Sequence, residues 1–397
     1  MNNQKIKNIE LVNKKLTCDE IHWWQFPLND LSVKFSDTFK TEFFHKIYTE
    51  RSKSLDFAKY VNEKSEKYNK NWNFKRQRVL LWDYKANAEF VPAWFVYESA
   101  RYLKLDLLEI EKNMVAYMTF RGRTIIEKPE LPIKATPLFS SILLHMMCDG
   151  TVRKGMFFYF QKDKKGIKRF ENIVKSVFGE YKSQYKRGYY APLVFLSIIS
   201  GYYNVYSFTS FNSDIPEKLI QQPRLHRIAA LAAALFDDGS AMSSVRFYSA
   251  SEKFISNLKK LIETLDYNCN QILIRKCNYR KNYKIYTVNI SASSLNSFYT
   301  DLKILFEKFP LLHIGKKFLE IEKLVNIQNR GWNQRNKLET KNIILNTLKD
   351  DEKTAFELRD TVNVSLWTIY HHLQHLMKKG KVTKYKKFKR KFVYRLL

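Results

Sequence analysis

The 397-residue chain is too long for one compact core and long enough for two to four domains of about 100–200 residues each. Hydrophobic residues make up 45% of the chain and charged residues 27%, which excludes a globally disordered protein. Its 69 Lys and Arg residues outnumber 39 Asp and Glu, and the resulting net charge of +30 is typical of proteins that bind a polyanion.

The N-terminal segment 1–16 lacks the apolar core and small-residue cleavage site of a secretion signal, which predicts a cytoplasmic protein. The best candidate for a membrane span, 189–206, is interrupted by Pro192 and Gly201, so no membrane association is expected. The four cysteines form no CxxC pair, which argues against structural zinc and against a disulfide framework.

Short apolar repeats with helical spacing predict helices within an N-terminal region 1–130. The segment 74–82 presents Lys75, Arg76 and Arg78 beside apolar residues, as the DNA-reading helix of a helix-turn-helix does. An ordinary solvated basic helix explains the same pattern, and both interpretations stay open.

A proline-rich linker, 127–137, separates this region from an apolar helix that ends at Asp149-Gly150. A second apolar helix ends at Asp238-Gly239. Strand, helix and strand patterns follow each pair in the same order, which indicates an internal duplication. We therefore expect one repeat over 131–215 and a second over 216–330, each of the type αββαββα. An Asp-Gly pair alone would be no more than the C-terminal cap of a helix.

These residues resemble the LAGLIDADG homing-endonuclease family, in which two such helices pack side by side and each delivers one acid to a shared metal site. The second motif, 231–239 (LAAALFDDG), follows the family pattern closely, whereas the first, 142–150 (ILLHMMCDG), has Leu143 and Leu144 where the family has small residues. The resemblance implies an α+β fold with a duplicated LAGLIDADG core.

The resemblance also implies that Asp149 and Asp238 are the catalytic and metal-binding residues, if the protein is active. They would hold Mg²⁺, which assists the attack of water on a phosphodiester. Two helices approach to about 8 Å only when small side chains line their contact, and Leu143 and Leu144 make the first helix too bulky for the ideal seam. The small residues Ser140, Ser141 and Cys148 compensate in part, so both a shared site of Asp149 and Asp238 and two separated carboxylates stay open. DNA binding itself would require no cofactor.

Family members lay a curved sheet from each repeat into the major groove of DNA. The corresponding positions here are rich in basic residues and in interleaved tyrosines. The predicted DNA-binding residues of the two sheets are Lys182, Lys186, Arg187, Arg246, Arg275, Lys276, Arg280, Lys281 and Lys284. A solvated charge run is the alternative.

The C-terminal segment, 337–397, has the pattern of a winged helix: three helices followed by two basic strands. Ser365 can cap the third helix, and Gly380 ends it. The outward face of that helix and the strands would contact DNA. The predicted contacts are Trp367, Thr368, His371, Gln374, Lys384, Lys386, Lys387, Lys389 and Arg390.

A degenerate LAGLIDADG pair flanked by an N-terminal helical, helix-turn-helix-like domain and a C-terminal winged helix resembles the architecture of bacterial WhiA-type regulators. It implies sequence-specific binding of double-stranded DNA, at a promoter or replication origin, without cleavage. The alternative is an active metal-dependent homing endonuclease. RNA binding is disfavoured because sheets and winged helices suit the B-form major groove better than A-form RNA. The duplication supplies a pseudo-twofold axis within one chain, which allows a monomer.

Overall fold

The computed structural model of the protein describes residues 19–53, 56–68, 70, 89–119, 124–153, 156–182, 184–185, 188–205, 208, 213–276, 284–329, 337–387 and 391–397. Within these residues one continuous hydrophobic core extends from Ile21 to Val325, and a separate core extends from Ile344 to Tyr394. None of the described helices is long and apolar enough to cross a membrane.

The described residues of the N-terminal region form short strands and four helices. The strands are β1 (Glu20–Ile21), β2 (Leu31–Phe35), β3 (Val91–Pro92), β4 (Met114–Thr119), β5 (Ile125–Glu127) and β6 (Ile133–Lys134). The helices are α1 (Asp37–Lys53), α2 (Asp56–Lys67), α3 (Ala93–Tyr102) and α4 (Leu107–Lys112). Strand β1 pairs with β6, and the others form an antiparallel sheet in the order β3-β2-β4-β5.

This sheet corrects the expectation of a purely helical N-terminal domain. Its two central strands, Leu31–Phe35 and Met114–Thr119, are far apart in the sequence, so no local pattern predicts that they pair. The sheet also continues past the proline-rich linker, because β5 pairs with Glu180–Tyr181 of the first repeat. The predicted basic helix over 74–82, with Lys75, Arg76 and Arg78, lies outside the described residues.

The two repeats have the same succession of elements. The first contains α5 (Pro137–Cys148), β7 (Gly150–Arg153), β8 (Met156–Tyr159), α6 (Lys164–Phe178), β9 (Glu180–Tyr181), β10 (Gln184–Tyr185), β11 (Tyr189–Ala191) and α7 (Leu193–Tyr203). After the short α8 (Glu217–Ile220), the second contains α9 (Arg224–Asp238), β12 (Gly239–Ser240), β13 (Arg246–Ser249), α10 (Glu252–Glu263), β14 (Leu273–Lys276), β15 (Lys284–Asn289) and α11 (Ala292–Lys308).

Their four-stranded sheets have equivalent orders, β7-β8-β11-β10 and β12-β13-β15-β14. Every neighbouring pair of strands in both sheets is antiparallel. The predicted αββαββα duplication and the α+β fold class are therefore confirmed. The one departure is β9, which leaves the sheet of the first repeat and pairs with the N-terminal sheet.

Helix α12 (Lys316–Asn329) follows the second repeat, and the C-terminal segment then forms three helices and a hairpin. These elements are α13 (Lys337–Asp350), α14 (Ala355–Val362), α15 (Leu366–Lys378), β16 (Val382–Lys387) and β17 (Lys391–Leu396). Ser365 caps α15, since its Oγ accepts from the amide of Thr368 at 2.9 Å. Gly380 follows the helix at a φ of +65°, a conformation that glycine adopts without strain.

Candidate nucleic-acid interface and acid cluster

Helices α5 and α9 pack against each other more extensively than any other two described elements. Small residues Ala229, Ala230 and Ala233 on α9 are buried, as are Ser140 and Ser141 on α5. Their small volume lets the helix backbones approach closely.

Leu143 and Leu144 do not obstruct the helix contact. Both side chains are fully buried in the core, and the C-terminal ends of the two helices still meet, because Gln161 donates to both Asp149 and Asp237. The sequence left open whether the two helices close, and their C-terminal ends are bridged by Gln161. The small side chains that a close helix contact requires are supplied mainly by the alanines of α9 instead of by α5.

One of the acids at this junction, Asp237, is held in a buried polar network. Its Oδ2 accepts from His145 Nδ1 at 2.8 Å, and both side chains are completely buried. Its Oδ1 accepts from the Tyr159 hydroxyl at 2.8 Å and from Gln161 Nε2 at 2.9 Å. Gln161 also donates to Asp149, so one amide group links the ends of the two helices.

Arg169 on α6 fixes the protonation state of His145. Its Nη2 lies 3.1 Å from His145 Nε2, and because a guanidinium only donates, that ring nitrogen accepts and Nδ1 carries the proton toward Asp237. Burial, and then the charge of Arg169, holds the pKa of His145 well below its ordinary value. The guanidinium also stacks 3.6 Å from the centre of the Phe236 ring.

Burial raises the pKa of all three carboxyl groups at the junction. Burial, followed by repulsion from Asp237 and Asp238, raises the pKa of Asp149 to about 8. Burial also raises the pKa of Asp237 to about 7, and burial with repulsion from Asp237 raises that of Asp238 to about 6. The cluster therefore holds protons at neutral pH in the absence of a further cation.

Lys317, the second residue of α12, supplies a cation to this cluster from within the chain. Its ammonium donates to three backbone carbonyls at the end of α9: Leu235 and Phe236 at 2.7 Å and Gly239 at 2.8 Å. The Leu235 carbonyl also accepts from the amide of Gly239, and the carbonyls at this end carry the negative end of the helix dipole. The charge of Lys317 also lowers the pKa of each of the three acids.

The donor set fits a resident divalent cation poorly. Hard cations such as Mg²⁺ take about six oxygen ligands, but both oxygens of Asp237 are occupied by protein donors, and all three protons of Lys317 are used beside them. Among the described residues, no three or more His, Cys, Asp or Glu side chains are arranged to hold a metal ion. Asp149 and Asp238 are brought together as the resemblance implies, but in a cluster that is already hydrogen-bonded.

The sheets of the repeats carry the described members of the predicted DNA-binding set. Arg275 on β14, Lys284 on β15 and Lys182 after β9 are exposed, and Arg246 on β13 is half-buried, with its Nε donating to Asn289 Oδ1 at 2.8 Å. Lys276 lies in β14. Lys186, Arg187, Arg280 and Lys281 lie outside the described residues.

In the C-terminal module, Trp367 is 75% exposed and stacks on His371 with ring centres 5.4 Å apart. Gln374 is exposed on the same helix, whereas the hydroxyl of Thr368 lies 2.7 Å from that of Ser365 and belongs to the helix cap. The ammonium of Lys384 lies 4.0 Å from the centre of the exposed Phe392 ring. Lys386 and Lys387 lie in β16, and Lys389 and Arg390 lie outside the described residues.

Sequence reasoning missed His145, Asp237, Arg169 and Lys317. A histidine inside an apolar helix and a second acid beside the Asp-Gly pair were visible signals for the first two. Nothing local marks Arg169 or Lys317, because each reaches the cluster from a different helix.

No protein-family model matches the chain, and no curated protein matches its sequence. Among solved structures, the chain is similar to a variant of I-DmoI in complex with its target DNA and in the presence of manganese. The two sequences are 12% identical and the TM-score is 0.28; the match covers 43% of this chain and 91% of the I-DmoI chain. It is also similar to full-length DUF199/WhiA from Thermatoga maritima, with 12% identity, a TM-score of 0.29, and coverage of 61% of this chain and 90% of the other. The sequence motifs resemble the same two kinds of protein.

Proposed function

We propose that the protein binds double-stranded DNA sequence-specifically, at a promoter or a replication origin, without cutting it. In this proposal the sheets of the two repeats enter the major groove, and the C-terminal segment acts as a winged helix beside them. The net charge of +30 supports DNA as the partner, since phosphate neutralisation supplies most of the affinity of such proteins. A single chain would suffice, because the duplication already provides two sheets.

The main observation in favour of binding without cleavage is the position of Lys317. Its ammonium is fixed by three backbone carbonyls at the end of α9, and its charge already lowers the pKa of Asp149 and of Asp238, as the divalent cation of a metal-dependent nuclease would. A cluster that already contains its own cation gains less from binding another. The acids then maintain the junction of the repeats instead of activating water.

The convergence of Asp149 and Asp238 favours one second candidate, a metal-dependent endonuclease. In that case Mg²⁺ would be the cofactor, and these two acids would be its ligands. One experiment separates the candidates: the full chain is bound to a duplex selected from a random library and then incubated with Mg²⁺ or Mn²⁺. Intact strands are expected, and site-specific double-strand cuts that disappear in Asp149→Asn would establish the nuclease.

DNA binding itself is tested by its salt dependence. Ten or so Lys and Arg contacts to phosphates would give a slope of log affinity against log salt near about −9, and a slope shallower than about −3 would contradict the proposal. Arg275→Ala should weaken binding. Lys253→Ala is the matched control, because Lys253 is equally cationic but lies on α10, which packs on the opposite side of the same sheet.

A further inference from the structure

The C-terminal module, residues 337–397, meets the second repeat without sharing a core with it. The hydrophobic core of the module, from Ile344 to Tyr394, is separate from the core of the two repeats. The chain joins the two through 330–336, which lie outside the described residues. The position of the module against the repeats therefore depends on the contacts across their boundary.

Arg359 on α14 makes a contact across this boundary. Its side chain is long and charged, yet the residue is only 2% exposed. Its Nη1 donates to the Met242 carbonyl at 2.6 Å, in the connection between β12 and β13 of repeat 2. Its Nη2 lies 4.0 Å from Oε2 of Glu320 on α12, and its Nε donates to Asp360 Oδ1 at 2.8 Å. One guanidinium therefore connects the module to two elements outside it.

A guanidinium at this place fixes orientation as well as distance. Its donors point in fixed directions within one plane, so several acceptors hold it in a single pose. Burial of a charge is costly, and apolar residues in place of a buried ion pair often leave stability unchanged or raise it. The advantage of Arg359 at the boundary is therefore geometric, because a small apolar contact would let the module slide or rotate.

The boundary beside Arg359 is open. A cleft of about 500 Å³ separates the module from α12 and from the β12–β13 connection. Tyr370 and Phe392 line its module side and are 41% and 50% exposed, and Met242 lines the opposite side and is 49% exposed. Apolar packing across the cleft is therefore loose, and the polar contacts of Arg359 determine the orientation of the module.

Both ends of this connection lead directly to predicted DNA-binding residues. The Met242 carbonyl belongs to the connection that precedes Arg246, the first residue of β13. On the other side, only 363–365 separate α14 from α15, the helix that carries Trp367 and Gln374. The contact of Arg359 therefore fixes both the distance and the rotation between the sheet of repeat 2 and the exposed face of α15.

We propose that Arg359 is a positioning residue that sets one spacing between the base pairs bound by repeat 2 and those bound by the C-terminal module. This inference rests on the proposed function, because it assumes that both surfaces contact one duplex. B-form DNA makes a turn in about 10–10.5 base pairs, so one inserted base pair moves the second part of the site by about 3.4 Å and rotates it by about 35°. A docked module rejects that change, whereas a module held only by its chain connection accepts it.

Spacer variation in a selected site provides the first test. The full chain selects a site from a random duplex library, and Arg246→Ala and Gln374→Ala identify the base positions that depend on each surface. One or two base pairs are then inserted or deleted between these positions. The unchanged protein should lose about tenfold in affinity for each altered spacer, comparable to one mismatched base pair. Arg359→Met, which keeps the apolar stem, should bind all these spacers within about threefold of one another.

Two further variants separate geometry from charge. Arg359→Lys keeps the charge and loses the planar fork, because an ammonium can donate to the Met242 carbonyl but does not hold Glu320 in the same plane. Its discrimination between spacers should lie between that of the unchanged protein and that of Arg359→Met. Lys349→Met removes a cation from an exposed position of α13 and should keep the preference for one spacer.

Amide relaxation measured by NMR tests the docking without DNA. In the unchanged full chain, the amides of the module should have the same rotational correlation time as those of the repeats. In Arg359→Met, the correlation time of the module should be clearly shorter. The core of the module does not include Arg359, so the variant should stay folded, and thermal unfolding checks this.

The outcomes separate this inference from the function on which it rests. Independent tumbling of the module in the unchanged protein, or one preferred spacer in Arg359→Met, would overturn the inference and leave sequence-specific binding in place. Tighter binding of the original site by Arg359→Met would also overturn it, since the contact would then oppose binding. Failure to enrich any duplex sequence would overturn the proposed function, and the inference about spacing with it, even if module and repeats tumble together.

Discussion

The two repeats share a backbone topology, yet the ends of their long helices are chemically unlike. Helix α9 ends in Asp237-Asp238, whereas the equivalent end of α5 is Cys148-Asp149. His145 on α5 corresponds to Ala234 on α9. The buried hydrogen bond is therefore made once across the pseudo-twofold axis, from a neutral histidine of one repeat to an acid of the other.

This difference helps to determine which repeats pair with each other in a duplicated chain. A symmetric apolar seam would also allow two first repeats, or two second repeats, from different molecules to pair. A single buried polar pair disfavours those alternatives, because each would leave charged or polar groups unpaired in the core. The asymmetry therefore costs stability if either partner is removed.

Removal of His145 should have the largest effect. His145→Ala leaves the Asp237 carboxylate and the Arg169 guanidinium without their buried hydrogen-bond partner and removes a buried ring, which together should cost about 3–5 kcal/mol of unfolding free energy. Chemical denaturation of the full chain measures the loss. His371→Ala, at an exposed position, is the control, and a loss below about 1 kcal/mol for His145→Ala would show that the network is not what joins the repeats.

Removal of the Lys317 ammonium should have the next largest effect. Lys317→Met keeps the apolar stem and loses three hydrogen bonds from a charged group to the end of α9, which should cost about 2–3 kcal/mol. Lys316→Met removes the same charge from the exposed neighbouring residue and should be nearly neutral.

The same variant tests whether Lys317 stands in for a metal ion. If it does, Lys317→Met should gain a Mn²⁺-dependent rise in melting temperature that the unchanged protein lacks. A Mn²⁺ response of equal size in both proteins would contradict this assignment.

Asp149 should make stability depend on pH. Its pKa in the folded protein is about 8, above the ordinary 3.8, so its contribution is fully present below pH 4 and is lost as the pH rises through 8. Asp149→Asn, which is neutral at every pH, should flatten this decline and raise the unfolding free energy at pH 8 by about 1–2 kcal/mol.

Asp350→Asn is the control for this measurement, because Asp350 is exposed at the end of α13. An unchanged pH profile for Asp149→Asn would assign the decline to other groups. In chelator, the variant should bind DNA as tightly as the unchanged protein or slightly more tightly, since it removes negative charge near the phosphates.

The sequence was informative where structure depends on local pattern. The two apolar helices, their Asp-Gly ends and the strand order that follows each could be predicted, because each signal lies within a few tens of residues. The N-terminal sheet could not, since Leu31–Phe35 and Met114–Thr119 find each other only in the folded chain. For the same reason Asp149 and Asp238 were anticipated, whereas Lys317 was not.

The consequence of Leu143 and Leu144 for the helix contact could not be decided from the sequence either, for a different reason. A helix contact has two sides, and a rule about small residues on one helix says little when the partner supplies the space. The five buried alanines of α9 make room for the larger side chains of α5. Packing of this kind is a property of the pair and cannot be judged from either motif alone.

The smallest effects are expected in the C-terminal module, which has its own core and lies outside the comparison of the repeats. Lys384→Ala should lower DNA affinity uniformly across sequences and make the salt slope shallower by about 0.9, the value of one phosphate contact. Gln374→Ala should leave that slope unchanged and relax the preference at one base position, since a neutral amide releases no counterion.

Trp367→Ala sharpens this contrast, because Trp367 is exposed and stacks on His371, so its removal costs no core packing. We expect it to change site preference while the thermal unfolding of the module stays the same. The decisive control is truncation before Lys337, measured on the selected site and on a mismatched one. A folded truncated chain that retains both its DNA affinity and its preference for the selected site would show that the C-terminal module does not read DNA. In that case the exposed face around Trp367 is a surface for a protein partner. All discrimination between DNA sequences then belongs to the sheets of the two repeats.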